Sequence, residues 1–234
     1  MIAKSNGGAN TMIRARDITL VLGAQGAATQ ILNGVDIDIA AGESLAILGP
    51  SGSGKSSLMA VLSGLERATS GELSVGGKDY SGLDEDTLAR ARRGKIGIIL
   101  QAFHLLPTMT ALENVAVPLE LAGAPDPFAK AEAELIAVGL GHRLTHYPAQ
   151  LSGGEQQRVA IARAVAPRPG IIFADEPTGN LDQRTSHSII DVLFERQAAG
   201  SATLVIITHD QPLADRCGRV VRMSDGRIIS DTQR

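Results

Sequence analysis

The stretch Gly49-Pro50-Ser51-Gly52-Ser53-Gly54-Lys55-Ser56 reads Gly, four residues, Gly-Lys-Ser, a pattern in which a glycine-rich loop cradles phosphate. Its flanks fit. Glu43 to Leu48 is a short apolar run suited to a buried strand, and Ser57-Leu58-Met59-Ala60-Val61-Leu62 suits a helix that stops near Gly64. Strand, loop and helix together aim backbone N–H groups and a helix N-terminus at an anion, which separates this stretch from an ordinary glycine-rich turn. Glycines let the backbone approach oxygen with no side chain in the way. Lys55 adds a point charge for the β- and γ-phosphates, and the Ser56 hydroxyl is suited to ligate Mg²⁺. Gly49 to Ser57 are therefore the expected binding residues for a nucleoside triphosphate.

Composition narrows the setting. The chain has 234 residues, enough for one large α/β domain. A net charge of −3 gives no general reason to expect nucleic acid. A single cysteine, Cys217, excludes an internal disulfide framework and fits a reducing compartment. No apolar run approaches the roughly 20 residues that span a bilayer. Met1 to Asn10 is polar and glycine-containing and lacks the apolar core of a secretory signal, so residues 1–12 are expected to form a loose tail. A membrane role then requires a membrane-embedded partner.

Outward from the phosphate loop, the chain reads as strands of mixed type. Val35-Asp36-Ile37-Asp38-Ile39 alternates strictly, as a half-buried antiparallel strand does. Ile13 to Leu22 and Gly71 to Gly77 are further strands, with Ala24 to Gln30 a loop. Leu83 to Arg93, acidic early and basic late, predicts a solvated helix. Ile96 to Leu100, Gly170 to Ala174 and Ala202 to Ile207 are buried strands. Between the first two of these, Thr110 to Gly123, Pro127 to Gly139 and Gly154 to Val165 are helical, with Pro118 expected to kink or break the first. Thr185 to Ala198 is an amphipathic helix, and the chain closes on a hairpin turned at Asp225-Gly226. The expected fold is α/β: a nucleotide-binding core with a mixed sheet, an antiparallel β subdomain, and a helical insertion at about 102–166 within a domain spanning 13–234.

Chemistry-bearing residues close the buried strands. Asp175 is placed to hold Mg²⁺ and Glu176 to polarise the attacking water, provided the chain turns so that both face the phosphate. Gln101 and His209 each follow a strand, where polar side chains face the ligand crevice. Gln101 is a candidate for Mg²⁺ or water, and His209 for the γ-phosphate. Leu151-Ser152-Gly153-Gly154-Glu155-Gln156-Gln157 opens a helix with a second potential anion site. Ser152 and Glu155 also match a capping box, and the two roles share one helix end. A single triphosphate does not need both sites in one chain, whereas a dimer uses each.

Gly49–Ser56, Gln101, Leu151–Gln157, Ile171–Glu176, Gly179-Asn180-Leu181-Asp182 and His209, in that order, resemble the nucleotide-binding subunit of an ABC transporter. The likeness runs from about residue 13 to the end of the chain. It implies a head-to-tail homodimer enclosing two ATP molecules, with Ser152, Gly153 and Gly154 on the ATP of the opposite subunit and Asp182 passing closure between sites. Phe103 to Val115 and Asp175 to Asp182 resemble the lipoprotein-releasing and macrolide-export type of bacterial ABC ATPase. That resemblance implies an integral-membrane permease contacting Phe103 to Pro107, and a peripheral location on the cytoplasmic face of the inner membrane.

One position departs from the family pattern. Leu22 stands where the family usually stacks an aromatic ring on adenine, which predicts weaker discrimination of ATP from GTP. The competing class is a soluble ABC-type ATPase acting on nucleic acid or cofactor assembly. About 95 residues separate Lys55 from Leu151, without the sustained heptads of the DNA-repair relatives. Intact Glu176 and His209 argue against a module that binds ATP without turnover.

Overall fold

The computed structural model describes residues 11–23 and 28–233. Most of the expected tail, and residues 24–27 of the expected loop, lie outside them. Strand β1 (Thr11–Leu22) begins two residues before Ile13 and pairs antiparallel with β2 (Thr29–Ala40). In β2, alternation buries Val35, Ile37 and Ile39 and turns Asp36 to solvent. Half-buried Asp38 is paired with Arg16 at 2.5 Å. Strand β3 (Ser44–Leu48) leads through the phosphate loop into α1 (Lys55–Leu62). The chain then returns to β1 as β4 (Ser70–Val75), with the two-residue β5 (Lys78–Asp79) at its edge. The result is a four-stranded antiparallel sheet in the order β2-β1-β4-β5. Helix α2 (Glu85–Arg92) follows, its first turn capped by Asp84, which accepts from the Thr87 N–H at 2.7 Å.

Strand β6 (Ile96–Ile99) is followed by α3 (Ala111–Leu121), α4 (Pro127–Ala137) and α5 (Gly153–Val165). Helix α3 continues through Pro118 without the break that was one of the two expected outcomes. It starts from a full Thr110–Glu113 capping box and lays Val115 and Leu119 into a core shared with α4 and α5. That burial holds the helix together although proline removes one rung of its ladder. Helix α5 starts at Gly153, one residue earlier than expected, because Ser152 is its N-cap.

Strand β7 (Ile171–Asp175), α6 (Gln183–Gly200), β8 (Thr203–Ile207), the short α7 (Gln211–Ala214), and the hairpin β9 (Arg219–Ser224) and β10 (Arg227–Gln233) complete the chain. The second sheet has the order β10-β9-β3-β8-β7-β6, parallel except for β10. Its central strands are covered on both faces, so they read as unbroken apolar runs. Leu45, Ile47, Phe173 and Val205 enter the core that α1 shares with the antiparallel sheet. Ala46, Leu48, Ile172 and Leu204 enter the core of α5 and α6 on the other face. Strand β3 sits between β8 and β9, and the loops after β3, β7 and β8 meet at one edge.

Candidate active site

The phosphate loop joins β3 to α1 through Gly52 and Gly54, both with positive φ, at 78° and 94°. Gly54 is the N-cap of α1, with no capping side chain and no acid in the first turn. Helices α2, α3, α5, α6 and α7 are instead capped by an Asp, Thr or Ser side chain. The first N–H groups of α1 are thus left for an outside acceptor. Lys55 is 9% exposed, and its Nζ donates to the carbonyls of Gly49 and Pro50 at 2.8 and 2.9 Å. Pro50, Ser51 and Ser56 are exposed and Ser57 is half-buried. Ser53 is buried, and its hydroxyl has no partner among the described residues.

The C-terminal hairpin backs this loop. Gly226 N–H donates to the Ser53 carbonyl at 3.1 Å, and Asn33 N–H donates to the Gly226 carbonyl at 3.0 Å. Asn33 Nδ2 donates to the Asp225 carbonyl at 2.8 Å. A Cβ on Gly49 would lie 2.4 Å from the Met223 carbonyl oxygen, so only glycine fits where β9 passes. Sequence reasoning saw the Asp225-Gly226 turn but not this seat, because the partners are 192 residues apart.

Asp175 ends β7 with its carboxyl beside the Ser56 side chain. Burial pushes its carboxyl above the usual range, although Ser56 and Lys55 nearby favour the charged form. Its Oδ1 is buried without a hydrogen-bond partner among the described residues. A hard cation between Ser56 and Asp175 would satisfy that oxygen and relieve the burial, so the donor set fits Mg²⁺. The expected turn comes at Glu176, which has φ 44°, and its N–H donates to the Ile207 carbonyl at 2.9 Å. Its Oε1 lies 2.9 Å from His209 Nδ1, so His209 meets the carboxylate as well as the loop edge.

Two expected site residues have other partners. Gln101 follows β6, but its Nε2 faces Asn180 Oδ1 at 3.4 Å, and Asn180 Nδ2 donates to the Gln101 carbonyl at 3.0 Å. These two amide hydrogen bonds tie Gln101 to the 179–182 loop, next to the residue that follows Asp175 at the end of β7. Asp182 caps α6, accepting from the Thr185 N–H at 3.1 Å. Leu22 closes β1 opposite Thr29 with 42% of its surface exposed, open to a flat apolar partner.

Ser152, Gly153, Gly154, Glu155 and Asp182 line a separate concavity, which no residue of the phosphate loop enters. The capping box at its mouth is complete. Glu155 Oε2 accepts from Ser152 N–H and Oγ at 2.8 and 2.9 Å, and Glu155 N–H donates to Ser152 Oγ at 3.3 Å. Sequence reasoning missed Arg163, in the last turn of α5, which donates to the carbonyls of Phe103 and His104 at 2.8 and 2.6 Å. Both of those residues have positive φ, at 60° and 48°.

An α1 end free for phosphate, a half-buried acid beside a serine and a carboxylate–imidazole pair define a nucleoside triphosphatase on an α/β sheet. A profile of the ABC transporter family matches residues 32–179, more than half of the chain, and the chain belongs to that family. It is 45% identical to the lipoprotein-releasing system ATP-binding protein LolD of Geobacter metallireducens, over 95% of this chain and 100% of LolD. It is 47% identical to the macrolide export ATP-binding/permease protein MacB of Marinobacter nauticus, over 94% of this chain and 34% of MacB. The ATP-binding cassette MJ0796, in a dimeric post-hydrolysis structure bound to ADP and Pi, superposes with TM-score 0.88 at 37% identity, over 95% of this chain and 98% of that one. The chain is an ABC ATPase with the mixed sheet, antiparallel sheet and helical layer expected of it.

Proposed function

We propose that this chain hydrolyses ATP as one of two cassettes that close head to tail, and so drives a separate membrane permease of the lipoprotein-release or macrolide-export type. The carrying observation is that two helix N-termini, each suited to an anion, open at separate places on one chain. The end of α1 stands with Asp175, Glu176 and His209, and the end of α5 opens onto its own concavity. A head-to-tail pair supplies both ends to each ATP. The names of LolD and MacB support the transport class. Among the described residues no helix is long and apolar enough to cross a membrane. The proposed location, peripheral on the cytoplasmic face, therefore depends on the permease.

In this reading Gly49 to Ser57 hold the phosphates, and Lys55 exchanges the Gly49 and Pro50 carbonyls for β- and γ-phosphate oxygens. Ser56 and Asp175 hold Mg²⁺, which when bound offsets charge on those oxygens. Glu176 takes a proton from the attacking water, and His209 fixes the carboxylate through Nδ1. Leu22 packs on the base. Ser152, Gly153 and Gly154 contact the partner's ATP, and Gln101 and Asp182 report closure through Asn180. Phe103 to Pro107 receive the permease.

Glu176→Gln tests the reading. General-base removal is expected to lower turnover by roughly 100-fold or more and to trap an ATP-bound dimer. Hydrolysis at the parent rate would assign the base elsewhere. Tagged Glu176→Gln protein, recovered from detergent-solubilised membranes with ATP, should carry a stoichiometric integral membrane protein. Recovery of the soluble homodimer alone would remove the permease and leave the ATPase.

A further inference from the structure

The carboxylate that closes the α5 capping box stands where the proposed dimer must receive an anion. A glutamine closes the same box without charge. Glu155 instead brings a negative charge to the helix end and takes up the Ser152 hydroxyl hydrogen. The helix dipole and the Ser152 N–H stabilise that charge. The same charge opposes a phosphate approaching Ser152, Gly153 and Gly154.

The structure supplies a counter-charge. Arg143 Nε donates to Glu155 Oε1 at 2.8 Å, on the oxygen that the cap does not use. Its side chain and that of Glu155 are 35% and 21% exposed, so the pair is only partly screened by water. The guanidinium is itself fixed from behind, where its Nη1 meets His146 Nε2 at 3.1 Å. The turn that carries it is closed by His146 N–H to the Arg143 carbonyl at 2.9 Å, and tied to α3 by Ala111 N–H to the His146 carbonyl at 2.8 Å. Arg143 stands outside the concavity, which Arg158 and Arg184 line. Arg158 spends its guanidinium on the Val138 carbonyl and Ser188, and it is Arg143 that makes the ion pair with Glu155. Hydrogen bonds from Ser152, with Arg143 adding to them, hold the Glu155 carboxyl down to about 2, so it is ionised whenever nucleotide arrives.

We propose that Arg143 is a positioning residue for the trans nucleotide contact: it neutralises Glu155 so that the Ser152 end of α5 can accept the γ-phosphate held by the partner subunit. The inference rests on the dimer reading above. Without Arg143, the approaching phosphate meets an uncompensated carboxylate, and like-charge juxtaposition of this kind weakens association by about tenfold or more.

The test uses full-length protein in the Glu176→Gln background. ATP-driven dimerisation is followed by analytical ultracentrifugation, binding of a fluorescent ATP analogue to the monomer by anisotropy, and folding by thermal melting. Arg143→Met should weaken dimerisation about tenfold or more and leave monomer nucleotide affinity unchanged. Adding Glu155→Gln should return dimerisation to within about threefold of the parent, since it removes the charge and keeps the cap. Arg143→Lys, which keeps the charge, should fall between. A purely structural role predicts a lower melting temperature with no rescue by Glu155→Gln. Undiminished dimerisation of Arg143→Met, or a double variant as defective as the single, overturns the inference and leaves the dimer reading standing. Failure of the Glu176→Gln parent to dimerise with ATP overturns the dimer reading, and the inference with it.

Discussion

Asn114 is the polar side chain on which the proposed permease-facing segment hangs. It lies on α3 and is 0% exposed. Its Oδ1 accepts from Leu106 N–H at 2.8 Å, and its Nδ2 donates to the carbonyls of Leu106, Met109 and Thr110 at 3.1, 3.0 and 3.0 Å. Asn114→Ala removes all four bonds. Leu106 is 40% exposed, so its own N–H and carbonyl recover water. The Thr110 carbonyl keeps its helical bond from Asn114 N–H at 2.9 Å. At about 1 kcal/mol per net hydrogen bond, with part recovered and a small cavity added, the loss is about 2–3 kcal/mol. For a chain of this size that is roughly 5–10 °C in melting temperature. Asn114→Asp keeps the acceptor for Leu106 but sets a buried charge against three carbonyls, so it should cost more than alanine. Chemical unfolding gives the energies, and hydrogen exchange at Leu106 and Met109 reports the local release. An alanine variant within about 0.5 kcal/mol of the parent, or an aspartate variant milder than alanine, would refute the reasoning.

Three further outcomes follow from the geometry. Gly226→Ala should lower nucleotide affinity measured by calorimetry as well as stability, because φ is +72° and the new Cβ would lie 2.3 Å from the Ile31 carbonyl oxygen, prising the hairpin off the phosphate loop. Leu22→Tyr should raise the preference for ATP over GTP about fivefold in competition kinetics, through roughly 1 kcal/mol of ring stacking; an unchanged ratio would place the base elsewhere. The Glu155 carboxyl drops from its ordinary 4.5 to about 2 on folding, mainly through Ser152, so its stabilisation is present above pH 4.5 and is lost as pH falls through about 2. After allowance for solvent screening that is about 1–2 kcal/mol, and Glu155→Gln should flatten acid-unfolding curves by that amount.

The local half of the site is legible in the sequence because its physics is local. Gly49 to Ser56 needs only neighbouring residues to bend the backbone, and the Ser152–Glu155 box is complete within four positions. Alternation places β3, β7 and β8 between two cores, since burial on both faces leaves an unmistakable apolar run. What is not legible depends on partners distant in sequence. Gln101 shows nothing in its own segment that predicts Asn180, 79 residues on. The four-residue α7 is too short to carry a periodic signal, and its Asp210 cap declares itself only in the fold. Pro118 misleads because propensity counts the lost rung and not the packing of Val115 and Leu119 that replaces it.

These long-range ties give the segment after Gln101 three anchors of different character. Gln101, where it begins, is held by Asn180 of the loop that leads into α6, and Leu106 by Asn114 on α3. Between them, two consecutive residues in the left-handed region, Phe103 and His104, turn their carbonyls to Arg163. Left-handed non-glycine residues are strained, by about 1 kcal/mol or more each, and burial lowers the pKa of the Arg163 guanidinium, the mark of a desolvated charge. Neither cost serves the core. Both are offset by the contacts between the carbonyls and the guanidinium, which tie the segment to the last turn of α5. Helix α5 begins just after its N-cap Ser152, the proposed contact with the partner's ATP, and ends in the turn that carries Arg163. One helix therefore joins the proposed contact with the partner's ATP to the segment proposed to receive the permease.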